Sequence, residues 1–179
     1  MIRLFAALSL PTEIAGPLVA RQFGLPGARW RPAESLHITL RFFGEIAEDV
    51  AADLDMALDA VQAPAFELAL GGAGCFGEGQ AIDAVWAGVA ENPALRRLAQ
   101  ACETAARRAG LKPETRRYHP HVTLAYLRRP NPEAVAAWIQ THNLLRSLVF
   151  RAESFGLYSS WRGGDGSRYQ LERAYRLMA

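Results

Sequence analysis

The sequence predicts an α+β protein made of two similar lobes, and three observations support this class. Strand-like alternation and helical periodicity follow one another along the 179 residues. The connections between these segments are short, so the segments would pack into mixed layers. The pattern His-x-Thr-Leu occurs twice, 84 residues apart, with strands and a helix predicted around each copy. We therefore expect a duplicated lobe whose two motif strands face each other across a cleft.

Local signals define the elements of the first half. Pro11 and Thr12 are typical of a helix start, and Gly16-Pro17 would break that helix. A second segment has apolar residues at helical spacing and acidic residues off that face. The predicted strands are residues 3–10, 36–43, 66–70 and 81–89, the predicted helices are 11–23 and 48–61, and the predicted loops are 24–35 and 71–79.

Proline and glycine likewise delimit the second half. Pro93 starts a helix that Gly110 stops. The run Gly163-Gly164-Asp165-Gly166 predicts a hairpin tip, since it lacks the Lys-Ser/Thr ending and the following helix of a phosphate-binding loop. The predicted helices are residues 93–109 and 133–142, the predicted strands are 121–126, 145–153, 155–158 and 168–177, and the predicted loop is 111–120.

Composition is that of a soluble protein with a single domain over residues 1–179. Half of the residues are apolar and 21% are charged. No apolar stretch approaches 20 residues, and the run 4–10 fits a core strand better than a signal peptide. Cys75 and Cys102 lack metal-ligand spacing and are expected as reduced thiols. We expect a cytoplasmic monomer with no membrane partner.

Charge is divided unevenly along the chain. Residues 1–89 carry a net charge of −6 and residues 90–179 a net charge of +8. Nineteen of the twenty basic residues are Arg, whose guanidinium grips phosphate with two donors. This division suits a phosphate-bearing partner such as a nucleic acid, although an Arg-rich composition can also reflect the genome alone.

The duplicated motif, His37-Ile38-Thr39-Leu40 and His121-Val122-Thr123-Leu124, predicts a catalytic site. On a strand, the His and the Thr point to one face and the apolar residues to the other. Two imidazoles could then activate water and protonate a leaving oxygen, while two hydroxyls bind the non-bridging oxygens of a phosphodiester. A purely structural repeat with hydrogen-bonded histidines is the alternative.

The remaining histidines give little support for a metal site. His119 precedes His121 by two residues, but no third ligand follows at a recognisable spacing. His119 is therefore expected to support the site from a loop, and His142 to interact with the dipole at a helix end. We expect neither a metal nor a cofactor.

Seven short blocks extend the pattern of the two motifs along the chain: RLFAA at 3–7, LP at 10–11, WRP at 30–32, LHITLRFFG at 36–44, YHPHVTLA at 118–125, SFGL at 154–157 and GSRY at 166–169. Taken together, these blocks resemble bacterial RNA 2′,3′-cyclic phosphodiesterases of the 2H phosphoesterase superfamily, long called 2′-5′ RNA ligases. The resemblance runs the whole length, and its two motif blocks are specific as a pair.

The resemblance implies a fold, a reaction and a substrate. The fold would be two pseudo-symmetric lobes, each an antiparallel sheet with flanking helices, around a central cleft. The reaction would convert the 2′,3′-cyclic phosphate end of an RNA, tRNA fragments included, to a 2′-phosphate without a metal. His37 would donate a proton to the leaving 3′ oxygen, and His121 would accept one from water. An RNA 5′-hydroxyl in place of water would give ATP-independent 2′-5′ ligation by the reverse reaction.

Further substrate contacts are expected around the motifs, and two positions depart from the family pattern. Thr39, Thr123 and Arg41 are expected to contact phosphate, and Phe43 and Tyr118 to stack on a base. Tyr118 is the first departure, since the family usually has Phe at that position. Tyr126 stands where the family commonly has Arg, and Arg128 or Arg129 is a candidate to compensate.

Two other functions remain open on the sequence. A non-catalytic RNA-binding module would use the Arg-rich half, and its binding would survive loss of both motif histidines. A phosphodiesterase acting on small cyclic nucleotides would use the same two histidines on a different substrate.

Overall fold

The computed structural model describes residues 1–163 and 166–179, so the predicted hairpin tip lies outside the described residues at Gly164 and Asp165. Its strands are β1 (Ile2–Ser9), β2 (Ala28–Trp30), β3 (His37–Ile46), β4 (Phe66–Leu68), β5 (Leu70–Phe76), β6 (Ala84–Val89), β7 (His121–Leu127), β8 (Phe150–Ala152), β9 (Ser154–Gly163) and β10 (Gly166–Arg176). Its α-helices are α1 (Thr12–Val19), α2 (Glu48–Asp59), α3 (Pro93–Arg108) and α4 (Pro132–His142), with short 3-10 turns at Ala33–Ser35 and Gly79–Ala81.

Two four-stranded antiparallel sheets confirm the α+β class and the two lobes. The first lobe has the strand order β10-β9-β1-β3, so the strand that carries His37 lies at an edge. The second lobe has the order β2-β7-β6-β5, so the strand that carries His121 is paired on both sides. A small sheet of β4 and β8 completes the described strands.

Both motif strands bulge at the same point of the motif. The pairing of β3 with β1 skips Leu40, immediately after Thr39. The pairing of β7 with β6 skips Leu124, immediately after Thr123. A bulge sharpens the local twist and changes the direction of the side chains beyond it. The repeat in the sequence is therefore also a repeat in backbone geometry.

Two strands lie where loops were predicted, because their pairing partners are distant in sequence. β2 falls within the predicted loop 24–35 and pairs with β7 of the other half. β5 falls within the glycine-rich segment 71–79 and pairs with β6. A Cβ on Gly74 would lie 2.4 Å from the Trp86 ring, so the absence of a side chain lets that ring lie over the strand.

The first helix also differs from its prediction. It continues through Pro17 without a break and ends at Val19, four residues before the predicted end. α3 begins at Pro93 as predicted, and α4 begins at Pro132, one residue before the predicted start. An Asn side chain caps each start before a proline: Asn92 accepts from the amide of Leu95, and Asn131 from that of Glu133.

One continuous hydrophobic cluster joins the two lobes. Buried side chains of both motif strands, including Ile38 and Val122, belong to it. The hydroxyl of Tyr118 donates a hydrogen bond of 3.1 Å across the lobes to the carbonyl of Thr39. Within the described residues, no helix combines the length and the apolar character needed to cross a bilayer.

Candidate active site

A cleft of about 1120 Å³ opens between the two motif strands. His37 and Thr39 line it from β3, and His121 and Thr123 line it from β7. These four residues are half-buried, whereas Ile38 and Val122 between them are buried. The alternation predicted for each motif is therefore present, and the four polar side chains face one space.

Both imidazoles are fixed in the same tautomer. Nδ1 of His37 donates to the carbonyl of Ser35 at 2.8 Å, and Nδ1 of His121 donates to the carbonyl of His119 at 2.7 Å. A carbonyl oxygen only accepts, so Nδ1 must carry the hydrogen in each ring. The neutral rings therefore keep their lone pair on Nε2, the nitrogen that can exchange a proton with a bound molecule.

Aromatic rings enclose His37. The centroids of Phe5 and Tyr169 lie 5.0 and 5.2 Å from that of the imidazole. This burial lowers the pKa of His37 to about 4, against the opposing effect of the Ser35 carbonyl. The charges of Arg31 and His121 lower the pKa further, so the two imidazoles lie within electrostatic reach of each other.

His121 has a different set of neighbours. Its centroid lies 4.6 Å from Phe76, 6.0 Å from His119 and 6.2 Å from Trp86. Burial lowers the pKa of His121 below its ordinary value, and the charge of His119 adds to the effect. Both rings are thus predominantly neutral in the free protein at pH 7.

A family model described as the 2′-5′ RNA ligase superfamily matches residues 10–164. The chain belongs to this superfamily. An RNA 2′,3′-cyclic phosphodiesterase of Thermus thermophilus is 35% identical, over 98% of this chain and 90% of that protein. One of Aeropyrum pernix is 38% identical, but the match spans about half of its length, 54%.

Solved structures of the superfamily share the fold. A crystal structure of Escherichia coli LigT complexed with 3′-AMP superposes with a TM-score of 0.80. It is 28% identical and covers 99% of both chains. The arrangement of two lobes around a cleft is therefore that of the superfamily.

Arg41 reaches the cleft wall, but its guanidinium is already occupied. Its Nε lies 2.5 Å from a carboxylate oxygen of Glu103, and the other nitrogens donate to the carbonyls of Phe42 and Lys112. Glu114 lies 3.9 Å away as a second carboxylate. Arg41 thus ties β3 to α3, and its charge is largely neutralised before any phosphate arrives.

Phe43 does not share the face of the motif, because the strand is irregular. The register of β3 against β1 shifts a second time beside this residue. Phe43 consequently packs in the core, while Phe42 lines the cleft with Arg3 over its ring at 4.9 Å. The expected base contact of Phe43 is inconsistent with this placement.

Tyr118 lines the cleft as expected, and its hydroxyl also links the lobes through Thr39. Burial raises the pKa of this phenol, so it remains a proton donor to the carbonyl at every working pH. The residue is partly buried against the core, and stacking of its ring on a base stays a prediction.

Neither candidate for the missing guanidinium lies in the cleft. Tyr126 lies at its rim, 42% exposed. Arg128 and Arg129 are exposed and do not line the cleft. The nearby guanidinium belongs instead to Arg31, whose central carbon lies 5.7 Å from the Tyr126 ring centroid. In the sequence, Arg31 stands out only as part of the block WRP at 30–32.

Phe5, Phe76, Trp86 and Tyr169 were not predicted as site residues. They come from four different strands, so no local spacing connects them with the histidines. The sequence carries a signal for two of them, since Phe5 falls in the block RLFAA at 3–7 and Tyr169 in the block GSRY at 166–169, both of which resemble the family.

The other predicted residues are placed as follows. His119 is exposed in the cleft beside Trp86, with ring centroids 4.8 Å apart. His142 is buried at the end of α4, where its Nδ1 donates to the carbonyl of Trp138. Among the described residues, no group of three or more His, Cys, Asp or Glu is arranged to hold a metal ion.

Proposed function

We propose that this protein hydrolyses the 2′,3′-cyclic phosphate end of RNA to a 2′-phosphate by acid–base catalysis with two histidines and no metal. The observation that carries the proposal is the pair of imidazoles in one cleft, each with Nδ1 tied to a carbonyl and Nε2 left for proton exchange. Relatives named RNA 2′,3′-cyclic phosphodiesterase support the substrate.

In the proposed step, a water oxygen forms a bond to phosphorus as the bond from phosphorus to the 3′ oxygen breaks. Nε2 of His121 takes the proton of the water, and Nε2 of His37 gives a proton to the 3′ oxygen. The hydroxyls of Thr39 and Thr123 donate to the two non-bridging oxygens, where negative charge accumulates. The 2′ oxygen keeps the phosphate.

The lowered pKa of His37 is compatible with its role as the acid only once substrate is bound. A cyclic phosphodiester carries one negative charge, and an opposite charge within about 4–6 Å raises the pKa of an imidazole. The substrate would thus create the imidazolium that it needs, while His121 stays neutral as the base.

Two extensions follow from the same site. An RNA 5′-hydroxyl that takes the place of water would form a 2′-5′ bond when the reaction runs backwards, with no requirement for ATP. Small 2′,3′-cyclic nucleotides carry the same reacting group, so the length of RNA needed is a separate variable of the experiment below.

We also propose that residues 1–179 act as one domain, as a monomer in the cytoplasm. The continuous core across both lobes supports the single domain. The free thiols of Cys75 and Cys102 support a reducing compartment. Size-exclusion chromatography with light scattering tests the monomer, and a mass of twice 19.6 kDa would contradict it.

Product analysis of an oligonucleotide with a 2′,3′-cyclic phosphate end, with EDTA present, tests the central proposal. We expect a 2′-phosphate product and a rate unchanged by EDTA. A 3′-phosphate product or loss of turnover in EDTA would contradict the mechanism. Binding that persists without any turnover would identify an RNA-binding module, and turnover confined to mononucleotides would identify a small-substrate esterase.

A further inference from the structure

Arg31 is held in the cleft by the strand that carries His121. It directly follows β2, and its amide donates to the carbonyl of Leu124 at 2.8 Å. Its own carbonyl accepts from the side chain of Gln22, also at 2.8 Å. The backbone of Arg31 is thus fixed on one side by β7 and on the other by Gln22, although Arg31 belongs to the first half of the sequence.

The guanidinium of Arg31 lies between two aromatic rings. Its central carbon is 5.2 Å from the ring centroid of Tyr169 and 5.7 Å from that of Tyr126. Tyr169 in turn contacts His37, and Arg31 is one of the charges that lower the pKa of that imidazole. The cation is therefore positioned beside one of the two reacting groups.

This cation is buried without a counter-charge. Arg31 is 8% exposed, and in the part of the chain that the structure describes its side chain donates only to the carbonyl of Ser167, at 3.1 Å. No carboxylate there forms an ion pair with it, in contrast to Arg41, which has Glu103 and Glu114. A desolvated guanidinium with unused donors is costly unless an anion completes it.

We propose that Arg31 binds the phosphate of the substrate and of the product, with its unused donors directed at a non-bridging oxygen beside His37. The assignment rests on the proposed function for the identity of the phosphate, but the binding itself does not depend on turnover. The two tyrosine rings fix the plane of the guanidinium, so that little side-chain entropy is lost when the anion binds.

Substitution of Arg31 tests this assignment by phosphate binding and by turnover. Arg31→Met keeps an unbranched side chain and removes the charge, and Arg31→Lys keeps the charge without the planar fork. Arg29→Met is the matched control, since Arg29 lies on β2 two residues away, is exposed and does not line the cleft. Inorganic phosphate is titrated by calorimetry, and thermal unfolding verifies that each variant folds.

We expect Arg31→Met to weaken phosphate binding and to lower kcat/KM by about tenfold to a hundredfold, the usual worth of a charge-assisted hydrogen bond. Arg31→Lys should recover part of the loss, and Arg29→Met should stay within about twofold of the wild type. A folded Arg31→Met protein that binds phosphate as the wild type does, or a wild type that binds none, would overturn the assignment.

The two measurements separate this inference from the proposed function. If phosphate binding depends on Arg31 but no cyclic phosphate is cleaved, the assignment stands and the proposed function fails. If Arg31→Met cleaves and binds normally, the function stands and the assignment fails.

A relocated guanidinium provides a sharper test, because the Arg31 guanidinium lies over the Tyr126 ring. In the double variant Arg31→Met/Tyr126→Arg, the cation reaches the same space from β7. We expect phosphate affinity to rise at least about tenfold over Arg31→Met alone, the lower end of the range for one charged hydrogen bond.

Discussion

The two lobes present the same motif from different surroundings. β3 is an edge strand, and its His37 lies among Phe5, Tyr169 and the cation of Arg31. β7 is paired on both sides, and its His121 lies beside the exposed His119. The motif strand fixes the direction of each imidazole, and the carbonyl two residues before the histidine fixes its tautomer. Residues from elsewhere in the chain lower its pKa.

β2 adds to this asymmetry, after the burial of His37, which is the largest cause of its lowered pKa. It joins the sheet of the second lobe and delivers Arg31 into the cleft, and the first lobe has no equivalent strand next to β3 among the described residues. A duplicated pair of imidazoles would share protons equally in a symmetric site. The cation of Arg31 makes the two rings inequivalent by disfavouring the imidazolium of His37, and the charge of a bound phosphate has to offset this before His37 can act as the acid.

Removal of either imidazole is expected to have the largest effect on turnover. His37→Ala and His121→Ala should each lower turnover of a cyclic-phosphate oligonucleotide at least about a hundredfold, because each ring moves a proton in the proposed step. His142→Asn is the matched control, since that ring lies in α4 away from the cleft.

A double variant sharpens this result. If His37 and His121 act on one phosphorus atom, His37→Ala/His121→Ala should lose little beyond the poorer single variant, because groups that act as a unit are not additive. A double variant that still cleaved the oligonucleotide at the wild-type rate would mean that the imidazoles do not carry the reaction.

The two threonines are expected to have the next largest effect. Thr39→Val and Thr123→Val keep the shape and remove one donor each, so kcat should fall by about tenfold to a hundredfold with little change in KM. Thr141→Val is the control, since that exposed hydroxyl donates within α4 to the carbonyl of Ala137. A fall in affinity with kcat unchanged would make the hydroxyls ground-state ligands only.

The sequence could predict a site residue where the residue's own strand sets the direction of its side chain. The motif face followed from alternation, because His37 and Thr39 precede the bulge at Leu40. Alternation continues through Arg41 and fails at the second register shift, beside Phe43, so Phe43 was expected on the cleft face and lies in the core. Arg31 could not be predicted, since its placement depends on pairing of β2 with a strand about a hundred residues away.

The fold shows the same division between local and distant information. The helix start at Pro93 was predicted from its own residues, and the start at Pro132 lies one residue before the prediction, because both are set by capping within one turn. β5 was missed because its glycines are poor strand formers by themselves, and the pairing with β6 under the Trp86 ring outweighs that tendency.

The third expected effect is a fall in the free energy of unfolding at acidic pH, which depends on His37. His37 has a pKa of about 4 in the folded protein and 6.5 as an ordinary imidazole, so below pH 6.5 the unfolded chain binds a proton that the folded protein does not. The free energy of unfolding should fall by roughly 2 kcal/mol from this ring between pH 7 and pH 5.

Denaturant unfolding at the two pH values measures this effect. His37→Gln removes the titrating group and should flatten the dependence by that amount. His121→Gln retains His37 and should keep the part of the dependence that His37 contributes. Equal slopes in the wild type and in His37→Gln would mean that His37 is not held neutral by its surroundings.

The smallest expected effect is a difference between the pH profiles of kcat and kcat/KM. The active free protein needs His37 protonated and His121 neutral, and both pKa values are lowered, so kcat/KM should decline as pH rises above about 6.5. In the complex, the charge of the bound phosphate raises the pKa of His37, so the alkaline limb of kcat should lie at least about one pH unit higher. Arg31→Met should move the limb of kcat/KM upward too, because the cation that disfavours the imidazolium is gone, and Arg29→Met should leave it in place. Coincident alkaline limbs for kcat and kcat/KM in the wild type would mean that the substrate does not supply the charge that turns His37 into an acid.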